Sequence, residues 1–396
     1  MKSNGQVDAK SRGWRRAIYA AVIAYIMFGV AAYWRTDCGF TALIRFGQQR
    51  QSVQLPELQG MSLAIAPQAG YDGQFYAQLA VNPDLTSSEV LRTLDNPQYR
   101  ARRILLPLLA HSLGFGRPWL TLQVYALINV AAWGALAWVL YRETRDQRVT
   151  GALVWATCLL NLGVLDSIRE SLTDLPAVLL IATAVVLLAG HPQRIWTAAL
   201  LLAAGGLVRE TAVLAAGMLL PAKWRIAPAG PSKLLPVLLA GLPAALWMLC
   251  LKWLAVGGNA VGAENFGWPG VAFGRQFYES GAAILAGSRH WQFVFGPIAA
   301  LGFAWQSGFV MCQALRSGSW WTRAALPFAL LFWVLGDSEW GSRAGGGYWA
   351  VARVCLPMTM AYCLTIPRGR NFGWWLVLPN LCVVHAVIRF WPDFNF

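Results

Sequence analysis

Acidic side chains are scarce in this chain, with 18 Asp and Glu against 32 Lys and Arg in 396 residues, for a formal net charge of +14. Such an excess invites a nucleic-acid partner. The cations, however, are scattered at the ends of apolar runs, where they read as orientation signals and lipid-phosphate contacts, so no nucleic acid is expected. Histidine is rarer still. His111, His191, His290 and His385 are widely separated and show no metal-ligand spacing. Of the seven cysteines only Cys38 lies outside an apolar run, so no disulfide framework is indicated. No soluble domain, internal repeat or low-complexity segment is evident.

Apolar residues are abundant. They make up 57% of the chain and charged ones 13%, with 21 tryptophans and a mean hydropathy of +0.46. That balance belongs to an all-α polytopic membrane protein, here one transmembrane domain over 1–396. Lys2, Lys10, Arg12, Arg15 and Arg16 precede a first span at 17–34. A secretory signal peptide is the competing reading, but Tyr33-Trp34-Arg35 is a poor cleavage context. The positive-inside rule then puts the N-terminus in the cytoplasm and 35–103 outside as a long outer loop. The remaining bundle, 104–396, is expected to complete about ten spans. They include 120–141, 151–165, 175–189, 234–256 and 291–315, one ending near Gly336, one carrying Arg353, and a last before an external Asp393–Phe396. Within the bundle, 195–221 reads as a broken-helix hairpin with Arg209-Glu210-Thr211 at its tip. This returns Lys223, Arg225 and Lys233 to the cytoplasm and leaves most carboxylates outside.

Four stretches concentrate chemistry. In Gly70–Ala80, the spacing of Phe75, Tyr76, Leu79 and Ala80 predicts a short helix on the membrane surface, with Asp72 at its N-terminal end. Asp72 is a candidate catalytic group or, on the bland reading, an N-cap. Next, Arg100, Arg102 and Arg103 meet the membrane just before 104–109, as lipid-phosphate ligands or snorkelling anchors. In 166–174, a continuous helix would align Asp166, Glu170 and Asp174 on one face, where they would repel unless a cation, metal or polar substrate intervened. A short solvated loop is the alternative. Finally, Arg209 and Glu210 would lie below the outer surface, where each ionised group costs about 2.5–3.5 kcal/mol, so each needs a partner elsewhere.

The basic N-terminus, single span and long outer loop carry Tyr71-Asp72-Gly73-Gln74-Phe75-Tyr76, followed by Arg103-Ile104-Leu105-Leu106-Pro107-Leu108-Leu109. This arrangement resembles the GT-C class of membrane glycosyltransferases. It is most similar to the mannosyltransferases of GPI-anchor assembly and to bacterial surface-glycopolymer formation proteins of the same plan. In those, W/Y-D-G-x-[FHY]-Y precedes a P-L-Y-P-L-L-like stretch. Tyr71 stands where eukaryotic members have Trp and Gln74 where they have His, which leaves the sugar and acceptor open.

The resemblance implies inverting transfer of a sugar from a polyprenyl-phosphate donor to a glycan, lipid or protein acceptor, on the outer face of a bacterial inner membrane. Asp72 would be the general base, flanked by Tyr71 and Tyr76. Arg102, Arg103, Arg209 and Arg353 would hold the donor phosphate. Glu170, Asp174 and Glu210, with Arg169, would bind sugar hydroxyls or orient those arginines. A divalent metal fits the acidic stripe, but no cofactor is required. A lipid-linked-glycan transporter or flippase, or a glycan polymerase or ligase, would draw on the same charged residues.

Overall fold

The computed structural model describes residues 4–220, 234–257, 265–288, 291–316, 318–341 and 348–392. Several expectations lie outside these residues: the cytoplasmic Lys223, Arg225 and Lys233, His290, and the external 393–396. The chain forms two compact units. One comprises Met1–Ala32, Gly134–Leu165 and Gly267–Phe396, and the other Tyr33–Trp133 and Asp166–Phe266.

The described chain is mostly helical, as a sequence in lipid must be when every backbone polar group needs an internal partner. Four helices are long and apolar enough to cross a membrane: Ser11–Ala31, Pro118–Thr144, Leu235–Trp253 and Phe293–Arg316. Six candidates result if two bent pairs each count once, Arg148–Leu159 with Leu162–Arg169 (46°) and Phe372–Asn380 with Cys382–Arg389 (54°). The sequence count was about ten. Several apolar runs fold into helices shorter than the roughly 20 residues of a full crossing, among them Asp174–Gly190, Ile195–Val208 and Glu210–Leu219.

In the first unit, the N-terminal helix packs through Tyr19, which meets Tyr141 and Trp155 edge-on at 5.5 and 4.9 Å. The buried Gln306 there has partners for both ends of its amide. Gln306 donates to the Pro379 carbonyl at 2.8 Å and accepts from the Thr359 hydroxyl at 2.7 Å.

The second unit holds the 35–103 stretch. Its only described strands form a two-residue parallel pair, Phe46–Gly47 with Ile65–Ala66. The predicted helix is present as Gly73–Val81, but it is not a half-exposed surface helix, because every one of its residues is buried. Its polar positions serve the neighbouring backbone. Gln74 Oε1 accepts from Gly47 N–H at 3.1 Å, and Gln78 Oε1 from Leu55 N–H at 3.0 Å. Gly73 permits a close approach, since a Cβ there would lie 2.1 Å from the Glu170 carbonyl oxygen.

Two further expectations are corrected. The 166–174 stretch is not one helix. Leu162–Arg169 ends and Asp174–Gly190 begins separately, with Ser171 between them at φ +47°. Asp166, Glu170 and Asp174 therefore share no continuous helical face. The 195–221 hairpin does form, but its second arm, Glu210–Leu219, is a 3₁₀ helix. The arms meet closely enough that a Cβ on Gly206 would lie 2.7 Å from Val213.

Candidate functional site

In the second unit, arginines and carboxylates from distant parts of the sequence pair off around the start of Gly73–Val81. Asp72 precedes that helix with helical torsions and makes no side-chain capping bond. Its Oδ1 instead accepts from Arg100 Nη2 at 2.8 Å, and the carboxylate side chain remains 32% exposed. Arg100 also donates to both Asp95 oxygens at 2.8 and 2.7 Å.

The local sequence explains this aim. Asn96 caps the short helix Pro97–Ala101, accepting from Tyr99 N–H at 3.1 Å. Arg100 and Arg103, three residues apart, then turn the same way. Both donate to the buried Tyr76 hydroxyl, Arg103 at 2.8 Å and Arg100 at 3.3 Å. Arg103 forks onto Glu210 at 2.9 and 2.8 Å and also reaches the Tyr99 hydroxyl at 2.8 Å. Two planar donors opposite two carboxylate oxygens is the strong, bidentate form of this pair. Burial opposes the charge on each arginine, but the neighbouring anions prevail. Asp72 chiefly raises Arg100 well above its ordinary pKa, and Glu210 does the same for Arg103.

Arg209 has extended torsions (φ −155°, ψ 122°) between the hairpin arms and pairs with Asp174 at 2.5 Å. Glu170 pairs with Arg45 at 2.6 Å, with Arg169 at 4.0 Å. Arg45 and Ser171 both adopt left-handed torsions, φ 61° and 47°. Each costs a non-glycine residue roughly 1–2 kcal/mol. Such strain persists only where surrounding structure enforces it, and it clusters at functional sites. The Tyr125 hydroxyl, 2.9 Å from the Ser171 carbonyl, helps to hold that turn.

Arg102 takes another direction. With Gln98 and Lys252 it rims a cavity of about 430 Å³ whose wall is Ala245, Met248, Leu249 and Leu251 of the candidate span Leu235–Trp253. That span is tied to the arginine stretch by Trp247 Nε1, which donates to the Ala101 carbonyl at 2.8 Å.

Asp72, Tyr76, Arg103 and Glu210 thus fall into one network, joined by Arg100. Arg209 with Asp174 and Arg169 with Glu170 lie in the same unit. Tyr71 is half-buried, and its backbone N–H donates to the Arg45 carbonyl at 3.1 Å. Arg353 is buried in Trp349–Val354 of the first unit. Arg45, Asp95 and Tyr99 were not among the residues proposed from sequence, and Arg100 was expected at a lipid phosphate or as an anchor, not beside Asp72. Asp95 and Arg100 flank the Asn96-Pro97 helix start, a local signal, whereas Arg45 has none because its partner is 125 residues away. Among the described residues, no group of three His, Cys, Asp or Glu side chains is placed to hold a metal. No family model, curated protein or solved structure matches this chain.

Proposed function

We propose that this chain is a GT-C-like membrane glycosyltransferase. It would move a sugar from a polyprenyl-phosphate donor to a glycan, lipid or protein acceptor at the outer face of a bacterial inner membrane. Asp72 carries the reading. It stands where the GT-C-like motif needs a base, it makes no capping bond, and it keeps a partly exposed carboxylate beside a cation.

In the proposed reaction, Asp72 takes the proton of an acceptor hydroxyl as its oxygen attacks the anomeric carbon. The bond from that carbon to the phosphate oxygen breaks on the opposite face, inverting the centre, and the electron pair leaves on the polyprenyl phosphate. Arg100 holds the base in place through the 2.8 Å ion pair. Arg102 and Lys252, at the rim of an apolar groove, suit a phosphate whose prenyl chain lies along Leu235–Trp253. Arg103, Arg209, Glu210, Asp174, Glu170 and Arg169 form the surrounding charged shell. This reading includes the full count of about ten spans, with the N-terminus inside.

The break at Arg209 favours one competitor, a lipid-linked-glycan transporter, because interrupted helices line transport sites. Native mass spectrometry of the purified chain tests the donor. A polyprenyl phosphate should be retained by the wild type and lost from Arg102→Ala/Lys252→Ala. If neither a retained polyprenyl phosphate nor transfer from an added polyprenyl-phosphate sugar is seen, the proposal fails.

A further inference from the structure

The outer segment contains a second cavity of about 430 Å³, with a different character from the first. It is lined by Gln51, Gln54, Gln59 and Ser62 over a floor that includes Leu58 and Met61, and no charged side chain lines it. Its volume is within the range of roughly 300–1,000 Å³ typical of small-molecule sites.

Three amides and a hydroxyl in one small cavity offer donors and acceptors in equal measure. No side chain of the lining supplies a counter-charge for an ion. A neutral ligand with many hydroxyls matches both the amides and the apolar floor.

One wall group lacks its partner. Gln54 is only 9% exposed, and its Nε2 is buried with no hydrogen bond among the described residues. A buried, unpaired donor costs stability that a ligand hydroxyl would restore. The terminal torsion of glutamine is soft, so the amide can turn from the wall into the cavity.

The walls are pinned in advance. Gln78 Oε1 holds the N–H of Leu55, next to Gln54, at 3.0 Å, and Thr41 Oγ1 holds the N–H of Ala64, between Leu63 and Ile65, at 3.0 Å. Gln59 Nε2 donates to the Gln54 carbonyl at 3.3 Å, and Ser62 Oγ to Asp37 Oδ2 at 2.9 Å. A cavity already built in this way loses little conformational freedom when it binds.

We propose that this glutamine-lined pocket of the outer segment binds a neutral saccharide. The inference stands apart from the catalytic assignment of Asp72, since it uses none of the ion-paired residues. The test uses the full chain in lipid nanodiscs, because maltoside detergents would occupy the pocket.

Glucose, mannose, galactose, N-acetylglucosamine and maltose are offered singly, and saturation transfer from protein to ring protons is read by NMR. At least one sugar should receive saturation, and Asp72→Asn should leave that binding intact. Gln54→Met should weaken binding at least tenfold while melting at the same temperature as the wild type or higher, because it removes an unpaired buried amide. Gln51→Met, at an exposed position that cannot disturb the core, should weaken binding as well. Absence of saturation in all five sugars, or equal binding in both glutamine variants, overturns the proposal.

Discussion

Replacing Asp72 separates a base from a structural aspartate, and the geometry sets the size of each effect. Asp72 is about one-third exposed, and Arg100 keeps two bonds to Asp95 and one to Tyr76 when Asp72 is neutralised. Arg100 is therefore not orphaned. The loss should resemble that of a partly exposed ion pair, about 0.2–1 kcal/mol, and not the 3–5 kcal/mol of a stranded buried charge. Because the carboxylate makes no capping bond, Asp72→Asn and Asp72→Ala should melt alike. A cap would behave otherwise, with asparagine a good substitute and alanine losing about 1 kcal/mol. Transfer should fall about 10²–10⁴-fold in both variants, the usual worth of a general base. The assay measures sugar transfer from a polyprenyl-phosphate donor in membranes, beside thermal melting of each purified variant. Wild-type turnover in Asp72→Asn would refute the catalytic assignment and favour the transporter.

Glu210→Gln should destabilise the chain in thermal melts more than Asp72→Asn does, because the buried Arg103 then keeps only the Tyr76 and Tyr99 hydroxyls, while the 28% exposure of the Glu210 side chain holds the loss below the roughly 3–5 kcal/mol of a fully buried broken pair. Arg103→Leu/Glu210→Leu should recover much of that loss, and a double variant less stable than either single one would contradict the pairing. Gly73→Ala should abolish folded expression, since its Cβ would meet the Glu170 carbonyl at 2.1 Å, whereas Gly274→Ala, with open space around it, should gain roughly 0.5–1 kcal/mol of helix stability. A cysteine at Ser62 should react with an impermeant reagent from outside and one at Ser232 should not. External labelling at position 232 would invert the later half of the topology.

Much of the helical fold was legible because lipid imposes a simple rule on the backbone. The run at 120–141 is the core of Pro118–Thr144, and 234–256 contains Leu235–Trp253. The span count was less legible. Hydropathy sees composition, but Cys355 interrupts the Arg353 run, and the last run bends by 54° between Phe372–Asn380 and Cys382–Arg389. The helix after Asp72 shows a different limit. Phe75, Tyr76, Leu79 and Ala80 trace one apolar face, and Gln74 and Gln78 fall outside it. They are buried because Gln74 and Gln78 satisfy backbone N–H groups of a segment that no local pattern places there.

The charged site follows the same division between local and distant information. Adjacent Arg209 and Glu210 cannot face each other on a helix, so the sequence already required two outside partners. The structure supplies Asp174 and Arg103, and the extended torsions of Arg209 turn the two side chains toward them separately. The apparent repulsion among the carboxylates of 166–174 is relieved in the same way. Glu170 and Asp174 stand beside Arg45 and Arg209. Hydropathy could not reveal this arrangement because Arg45 reaches Glu170 across 125 residues and Arg103 reaches Glu210 across 107. Pairing each carboxylate with an arginine lowers the cost of burying it. Asp72 differs from Glu170 and Asp174 in keeping a third of its side chain open, and that exposure is what an acceptor hydroxyl needs in order to reach it.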